Sequence, residues 1–442
     1  MRAGRRVGLN DGAALRISNV RLIDGVSTEA VDDAVLDAND KGWITYAGPA
    51  VQAPEPIPGV RAIDGRGGTL LPGLFDCHTH LGVASDRSIL EAALLTDPVL
   101  GVLQTTERLR RTLDAGITSV RDLGGLPAGF RDAVASGLIT GPRLQTSVGV
   151  ISHTGGHADD TFPSGRSLGL DYCEIADDVV GVRKAARRML RAGADVIKIC
   201  TSGGISSAHD DPDDQDLLDE EVAAVVDEGH RHRGRPVAAH AQGRAGILAA
   251  IRCGVTSIEH GFGIDDEGCD LIGERGTFLV PTLSTAFQPL DPRKTAPWRY
   301  EKKLRWNERT KENIAAAIAR KVNIAVGTDA GITPHGQNPF ELSYLVELGM
   351  SPIDAIRAAT SNSARLLGVA DTLGMLRLGY AADLVLCTED PLRDIGVLSA
   401  PENITLVTQQ GIVRKCTLAD SGSPQDLSPA PGQRSLHAVA RP

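Results

Sequence analysis

Over the first seventy positions, apolar residues come in short runs broken by glycine, proline and aspartate. Leu15–Ile23 alternates apolar and polar side chains, and Trp43–Tyr46 and Val60–Ile63 are similarly short, which predicts small half-buried strands. From Thr69 the pattern changes. Apolar runs at Leu70–Leu74, Ile117–Val120, Arg143–Val148, Val196–Cys200, Val237–Ala239, Thr256–Ile258, Thr277–Val280 and Ile324–Val326 alternate with longer stretches. Those stretches predict helices over Leu100–Ala115, Asp177–Ala192, Asp219–Arg233, Gly243–Arg252, Asp266–Glu274 and Arg309–Arg320. Several of these stretches run into a glycine-containing junction, at Gly116, Gly193, Gly254 and Gly276, the usual punctuation just past a helix end.

Eight successive strand–helix units predict an α/β fold of the (β/α)8 TIM-barrel type, with a doubly wound sheet as the competing arrangement. After a last helix over Ile353–Leu367, short strands return at Asp383–Cys387, Ile404–Gln409 and Ile412–Lys415. The two ends are therefore expected to meet in a small β-sandwich domain. On that reading residues 1–68 and 369–419 are its two parts, and the barrel, 69–368, is inserted between them. Residues 420–442, rich in Ser, Pro, Ala and Gly, are expected to form a disordered tail.

Composition narrows the partners. The 442 residues include 46 basic and 56 acidic side chains, a net charge of −10, and only 3% aromatics. That balance argues against a nucleic-acid binder, which would need cationic surface or stacking platforms. No stretch of about 18 apolar residues is present, so no membrane span is expected. The basic start at Met1–Arg6 lacks an apolar segment behind it, so no signal peptide is read. Seven scattered cysteines without a C-x-x-C pair exclude a disulfide framework and point to a reducing, cytoplasmic setting.

The chemistry concentrates at predicted strand ends. Phe75-Asp76-Cys77-His78-Thr79-His80 closes the first barrel strand, and residues two apart in a strand share a face, so His78 and His80 can bind one metal. His240, His260 and Asp329 end the fifth, sixth and eighth strands, where barrel active sites lie. Lys198 sits in the fourth, otherwise apolar strand. It either pairs with a nearby carboxylate or, desolvated and nucleophilic, captures carbon dioxide as a carbamate. Arg121-Asp122 closes the second strand and is expected to form a structural ion pair. Gly165-Arg166-Ser167-Leu168-Gly169 matches a serine-hydrolase pattern but lacks the strand–turn–helix context. His209, His230 and His232 are expected to be solvated.

This arrangement resembles the amidohydrolase superfamily in its binuclear subtype, over nearly the whole chain. Leu71–Asp76, the HxH pair, Lys198, His240, His260, Asp329 and the returning strand Gly379–Val385 carry the resemblance. It is most similar to the imidazolonepropionase-like group that contains prolidases and metallocarboxypeptidases. The residues behind this are Thr154-Gly155-Gly156-His157, Ser202-Gly203-Gly204 and Thr328-Asp329-Ala330-Gly331, with Pro334-His335-Gly336.

The resemblance implies two divalent ions, zinc or else manganese, cobalt or iron. One would be held by His78, His80, carboxylated Lys198 and Asp329, the other by the same carbamate, His240 and His260. It implies attack of a metal-bridging hydroxide on an amide carbonyl, with Asp329 as the proton carrier and His157 at the substrate carbonyl. The expected substrate is a small-molecule N-acyl amino acid or dipeptide. The alternative is a hydrophobic amide, urea or carbamate, because Leu217 stands where prolidases of this group carry a carboxylate-holding tyrosine. His153 and His335 are further candidates for substrate contact, each balanced against a structural loop role. A mononuclear cyclic-amide hydrolase or deaminase and a non-catalytic assembly protein remain competing readings. A homo-oligomer is expected by resemblance alone.

Overall fold

The computed structural model describes residues 13–86, 89–162 and 164–418, so the tail expected at 420–442 lies outside the described residues. Five strands open the chain: β1 (Leu15–Leu22), β2 (Val31–Ala38), β3 (Ile44–Pro49), β4 (Arg61–Asp64) and β5 (Thr69–Pro72). Nine follow in the central region. They are β6 (Leu74–Thr79), β7 (Ile117–Asp122), β8 (Arg143–Thr146), β9 (Val150–Ser152), β10 (Cys173–Ile175), β11 (Ile197–Cys200), β12 (Val237–Ala241), β13 (Ser257–His260) and β14 (Phe278–Val280). Three close the chain: β15 (Leu384–Cys387), β16 (Ile404–Gln409) and β17 (Ile412–Cys416).

The two chain ends do meet. β1–β5 and β15–β17 form one eight-stranded sheet, joined where β15 pairs antiparallel with β5. The strands are hydrogen-bonded as one continuous sheet. β1 makes this possible by pairing with β4 through Leu15–Ser18 and with β5 through Arg21–Leu22. Alternate β1 residues Leu15, Ile17, Val20 and Leu22 turn into a compact core with Leu36, Leu384 and Leu406. The run expected over Leu70–Leu74 is thus two strands. Thr69–Pro72 belongs to the small sheet, and β6 starts beyond Gly73.

The central strands run parallel in two ladders, β6–β7–β8 and β10–β9–β11–β12–β13–β14. The third expected strand breaks at Val148, whose φ of 65° turns the chain between β8 and β9. Asp195 N donates to Thr146 O at 2.8 Å, linking β8 to the approach of β11. The eighth expected strand, Ile324–Val326, forms only isolated bridges. Ala325 N donates to Leu279 O at 3.0 Å on one side, and Cys77 N to Val326 O at 2.7 Å on the other. Helices over Pro98–Asp114, Val179–Arg191, Asp219–Arg231, Arg244–Cys253 and Asp266–Arg275 lie close to expectation. The helix expected from Arg309 begins at Pro297, because its first half carries too few regularly spaced apolar residues to show the pattern. No helix among the described residues is long and apolar enough to cross a membrane.

Parallel strands with both faces covered read as continuous apolar runs. Polar residues inside them are therefore conspicuous. Every residue of β6, β11, β12 and β13 is buried, and these four strands carry His78, Lys198, His240 and His260.

Candidate metal centre

The strand ladders bring the expected ligand residues together from far apart in sequence. Register pairs Cys200 with His240 and Ala241 with His260, so successive strand ends present their imidazoles side by side. The His78 and His260 rings lie 5.0 Å apart, and those of His240 and His260 4.7 Å. Asp329 Oδ1 sits 3.2 Å from His80 Nε2 and 3.6 Å from His78 Nε2. Ligand atoms of His78, His80 and Asp329 all fall within 4.8 Å of one another, close enough to share one ion. Gly327 permits this approach, since a Cβ there would stand 2.8 Å from the His78 Cβ and 2.4 Å from Val280.

Each imidazole has one nitrogen engaged by protein. His78 Nδ1 contacts Glu259 Oε2 at 2.9 Å, and His80 Nδ1 contacts Gly124 O at 3.0 Å. His260 Nδ1 contacts Thr282 Oγ1 at 2.7 Å, and His240 Nε2 contacts Gly203 O at 3.1 Å. These partners fix ring orientation and leave the other nitrogen for a ligand, the usual way of supporting metal-binding histidines. His260 and Asp329 hold left-handed backbone angles, φ 75° and 59°, of the kind that gathers at functional sites.

Lys198 lines the same cavity as these histidines and Asp329. Its side chain is buried, 4% exposed, and its Nζ has no hydrogen-bond partner among the described residues. The carboxylate partner that would have made it a plain structural lysine is missing from its hydrogen bonds. Burial pulls its pKa down, against the charges of Glu259, Cys200 and Asp329. Burial likewise holds His78 and His240 well below the ordinary imidazole range and brings His260 to about 3, so these rings are neutral and competent as ligands. Burial alone would raise Asp329, but the hydrogen bond and charge of His80, whose own pKa Asp329 raises, outweigh it and keep the carboxylate ionised. Three neutral imidazoles, a fourth paired with an ionised carboxylate, and an unpaired lysine suit a divalent ion.

Beneath the ligands lies a support that composition did not reveal. Arg121, fully buried, reaches Glu259 Oε1 through Nη2 at 2.8 Å and the Cys77 carbonyl through Nε at 2.7 Å. The expected Arg121–Asp122 pair does not form. Asp122 instead accepts from the backbone of Leu81 and Gly124, because neighbouring strand residues point to opposite faces. Glu259 adjoins a histidine in sequence, and that adjacency was the available signal.

A cavity of about 370 Å³ opens over these groups. His157 lies in its wall, stacked on His240 with centroids 3.9 Å apart, and its Nδ1 is 3.0 Å from Ser207 Oγ. Gly204 makes room for that ring, since a Cβ there would meet it at 2.2 Å. Three other candidates are not among the residues that line the cavity. Leu217 is fully buried in the main core and does not face the cavity, because its strand-following segment turns it inward. His153 points to Asp216, 3.4 Å away, rather than into the cavity. His335 reaches the Val83 carbonyl at 2.9 Å and acts on the wall from behind. His209, exposed as expected, nonetheless stands at the cavity edge. His230 and His232 are exposed. Ser167 bonds to Asp160 and has no base beside it. The sequence pattern missed the apolar wall, which includes Phe162, Leu170, Tyr172, Ile205, Phe262 and Trp298, together with Arg299.

Strand-end imidazoles and a carboxylate around one cavity define a class, a hydrolase built on a metal-binding centre. The chain belongs to the amidohydrolase family, whose profile matches residues 69–413. It is 33% identical to the ochratoxinase of Aspergillus niger over 425 residues, covering 92% of this chain and 88% of that one. It is 25% identical to an imidazolonepropionase of Cupriavidus taiwanensis over 428 residues, 89% of this chain and 93% of that one. The crystal structure of a Xaa-Pro dipeptidase with bound methionine superposes with a TM-score of 0.81 at 31% identity, covering 91% of this chain and 99% of that one. These relatives place the chain in the imidazolonepropionase- and prolidase-like group, as an enzyme hydrolysing carbon–nitrogen bonds on a TIM-barrel-like fold with an additional domain.

Proposed function

We propose that this protein hydrolyses the amide bond of a small molecule with a bulky apolar part, such as an N-acyl amino acid, at a binuclear metal centre. In this reading His78, His80, Asp329 and a carboxylated Lys198 would hold one ion, and His240 and His260, with Lys198, would hold the other, zinc being the first expectation. The eight strand segments close as a barrel, with the small sheet as a separate domain. Bound divalent ions lower the pKa of water from about 16 towards about 7 and polarise the scissile carbonyl. Asp329 takes the proton from the attacking water and returns it to the amine as the C–N bond breaks, leaving a carboxylic acid and an amine. His157 faces the carbonyl oxygen.

The observation that carries this is the unpaired, buried Lys198 Nζ among four imidazoles and Asp329. The apolar wall favours an acyl or amine portion with an aromatic ring. Similarity to an ochratoxinase and to a Xaa-Pro dipeptidase supports the same class. Elemental analysis of metal-loaded protein, with mass analysis of the Lys198 peptide under non-acidic conditions, tests it. About two ions per chain and a carboxylated Lys198 are expected, followed by turnover of N-aroyl amino acids. One ion and an unmodified lysine would replace this with the mononuclear reading.

A further inference from the structure

Arg299 and Lys303 lie one turn apart on the helix Pro297–Ala319, and both line the cavity above the metal-centre residues. Lys303 is engaged. Its Nζ donates to the Thr285 carbonyl at 2.8 Å and to that of Gln288. Thr285 in turn donates through Oγ1 to Asp329 Oδ2 at 3.2 Å, so Lys303 props the wall beside Asp329. Arg299 is different. Its Nε is buried without a hydrogen-bond partner, and among the described residues no ion pair involves it. Burial lowers its pKa, with only the charge of Asp329 acting the other way. A guanidinium remains charged in proteins, so the site holds a partly desolvated cation with no carboxylate in ion-pair contact among the described residues. The same cavity is lined by the apolar side chains of Trp298, Phe262 and Ile332.

A planar guanidinium with open donors matches a carboxylate, which it can bind through two parallel hydrogen bonds. We propose that Arg299 anchors a carboxylate of the substrate, making the hydrolysed bond the N-acyl linkage of a free amino acid. The inference builds on the amide-hydrolase reading and adds a specificity determinant to it. Amide hydrolysis at a metal centre calls for no cation in the cavity wall, whereas selection of an acid over a neutral amide does.

The test compares two amides on metal-loaded protein: N-benzoyl-L-phenylalanine, and N-benzoyl-2-phenylethylamine, which lacks only the carboxylate. Wild type is expected to prefer the acid. Arg299→Gln is expected to reduce the acid-over-neutral ratio of kcat/KM by about 10- to 100-fold, chiefly through KM, with Arg299→Lys intermediate. Structural damage would lower both rates and leave the ratio intact, which would overturn the assignment. So would a wild-type enzyme indifferent to the carboxylate. Calorimetry with L-phenylalanine and 2-phenylethylamine decides the matter even if neither amide is cleaved. Tighter binding of the amino acid, lost in Arg299→Gln, would sustain the anchor even where these two amides are not cleaved. Absent or unchanged binding would remove the anchor.

Discussion

Glu259 Oε2 lies 2.9 Å from His78 Nδ1, and its other oxygen is 2.8 Å from Arg121 Nη2. Three residues from three strands thus form a line that ends at His78. The carboxylate accepts the Nδ1 proton and so fixes which nitrogen of His78 faces the centre. Glu259→Gln is expected to weaken metal binding by about 10- to 100-fold, read by chelator competition. Thermal unfolding of the metal-free protein should also fall, because Arg121 loses its buried counter-charge.

Lys198→Ala should purify with fewer than two ions per chain and lose at least about 100-fold in activity, since lysine supplies part of both proposed sites. Metal content is the deciding measurement. A variant that keeps full metal and rate would sink the binuclear reading.

Asp329→Asn keeps the side-chain shape but loses the ionised oxygen that faces His78 and His80. Its kcat should drop by about 10²- to 10⁴-fold on saturating metal, as expected for loss of a proton carrier. A fall confined to metal affinity, restored by excess ion, would reduce Asp329 to a ligand.

Leu217→Ala empties a fully buried position in the main core. Denaturant unfolding should show a loss of about 2–5 kcal/mol. Turnover per folded molecule should stay close to wild type, which is the opposite of what a substrate contact would give.

His335 provides a pH test away from the ligands. Burial brings its pKa to about 4, below the ordinary 6.5. The fold therefore prefers the neutral ring, and the unfolded chain binds the proton first. Stability should be complete above about 6.5 and decline as pH falls towards 4. His335→Gln keeps a donor for the Val83 carbonyl and should flatten the dependence of melting temperature on pH across that window.

Much of the candidate site was legible because its chemistry is local. Two histidines at i and i+2 share a strand face whatever surrounds them. A lysine in a four-residue apolar strand is costly in any fold that buries the strand. Strand ends marked by His240, His260 and Asp329 follow from periodicity alone. The small sheet was also foreseeable, because the short-strand pattern returns after Leu367.

Other features needed the third dimension. Whether Leu217, His153 and His335 face the cavity depends on how irregular loops turn, and loops carry no period to read. The Arg121–Glu259 contact joins residues 138 positions apart, and Arg299 faces the cavity from a helix half without an apolar stripe. Backbone geometry sets the alternation of side chains along one strand, so the pattern is written in neighbouring residues. Which strand faces which, and which charge is left without a partner, is a sum over the whole packed interior. That sum exists only once the chain has folded.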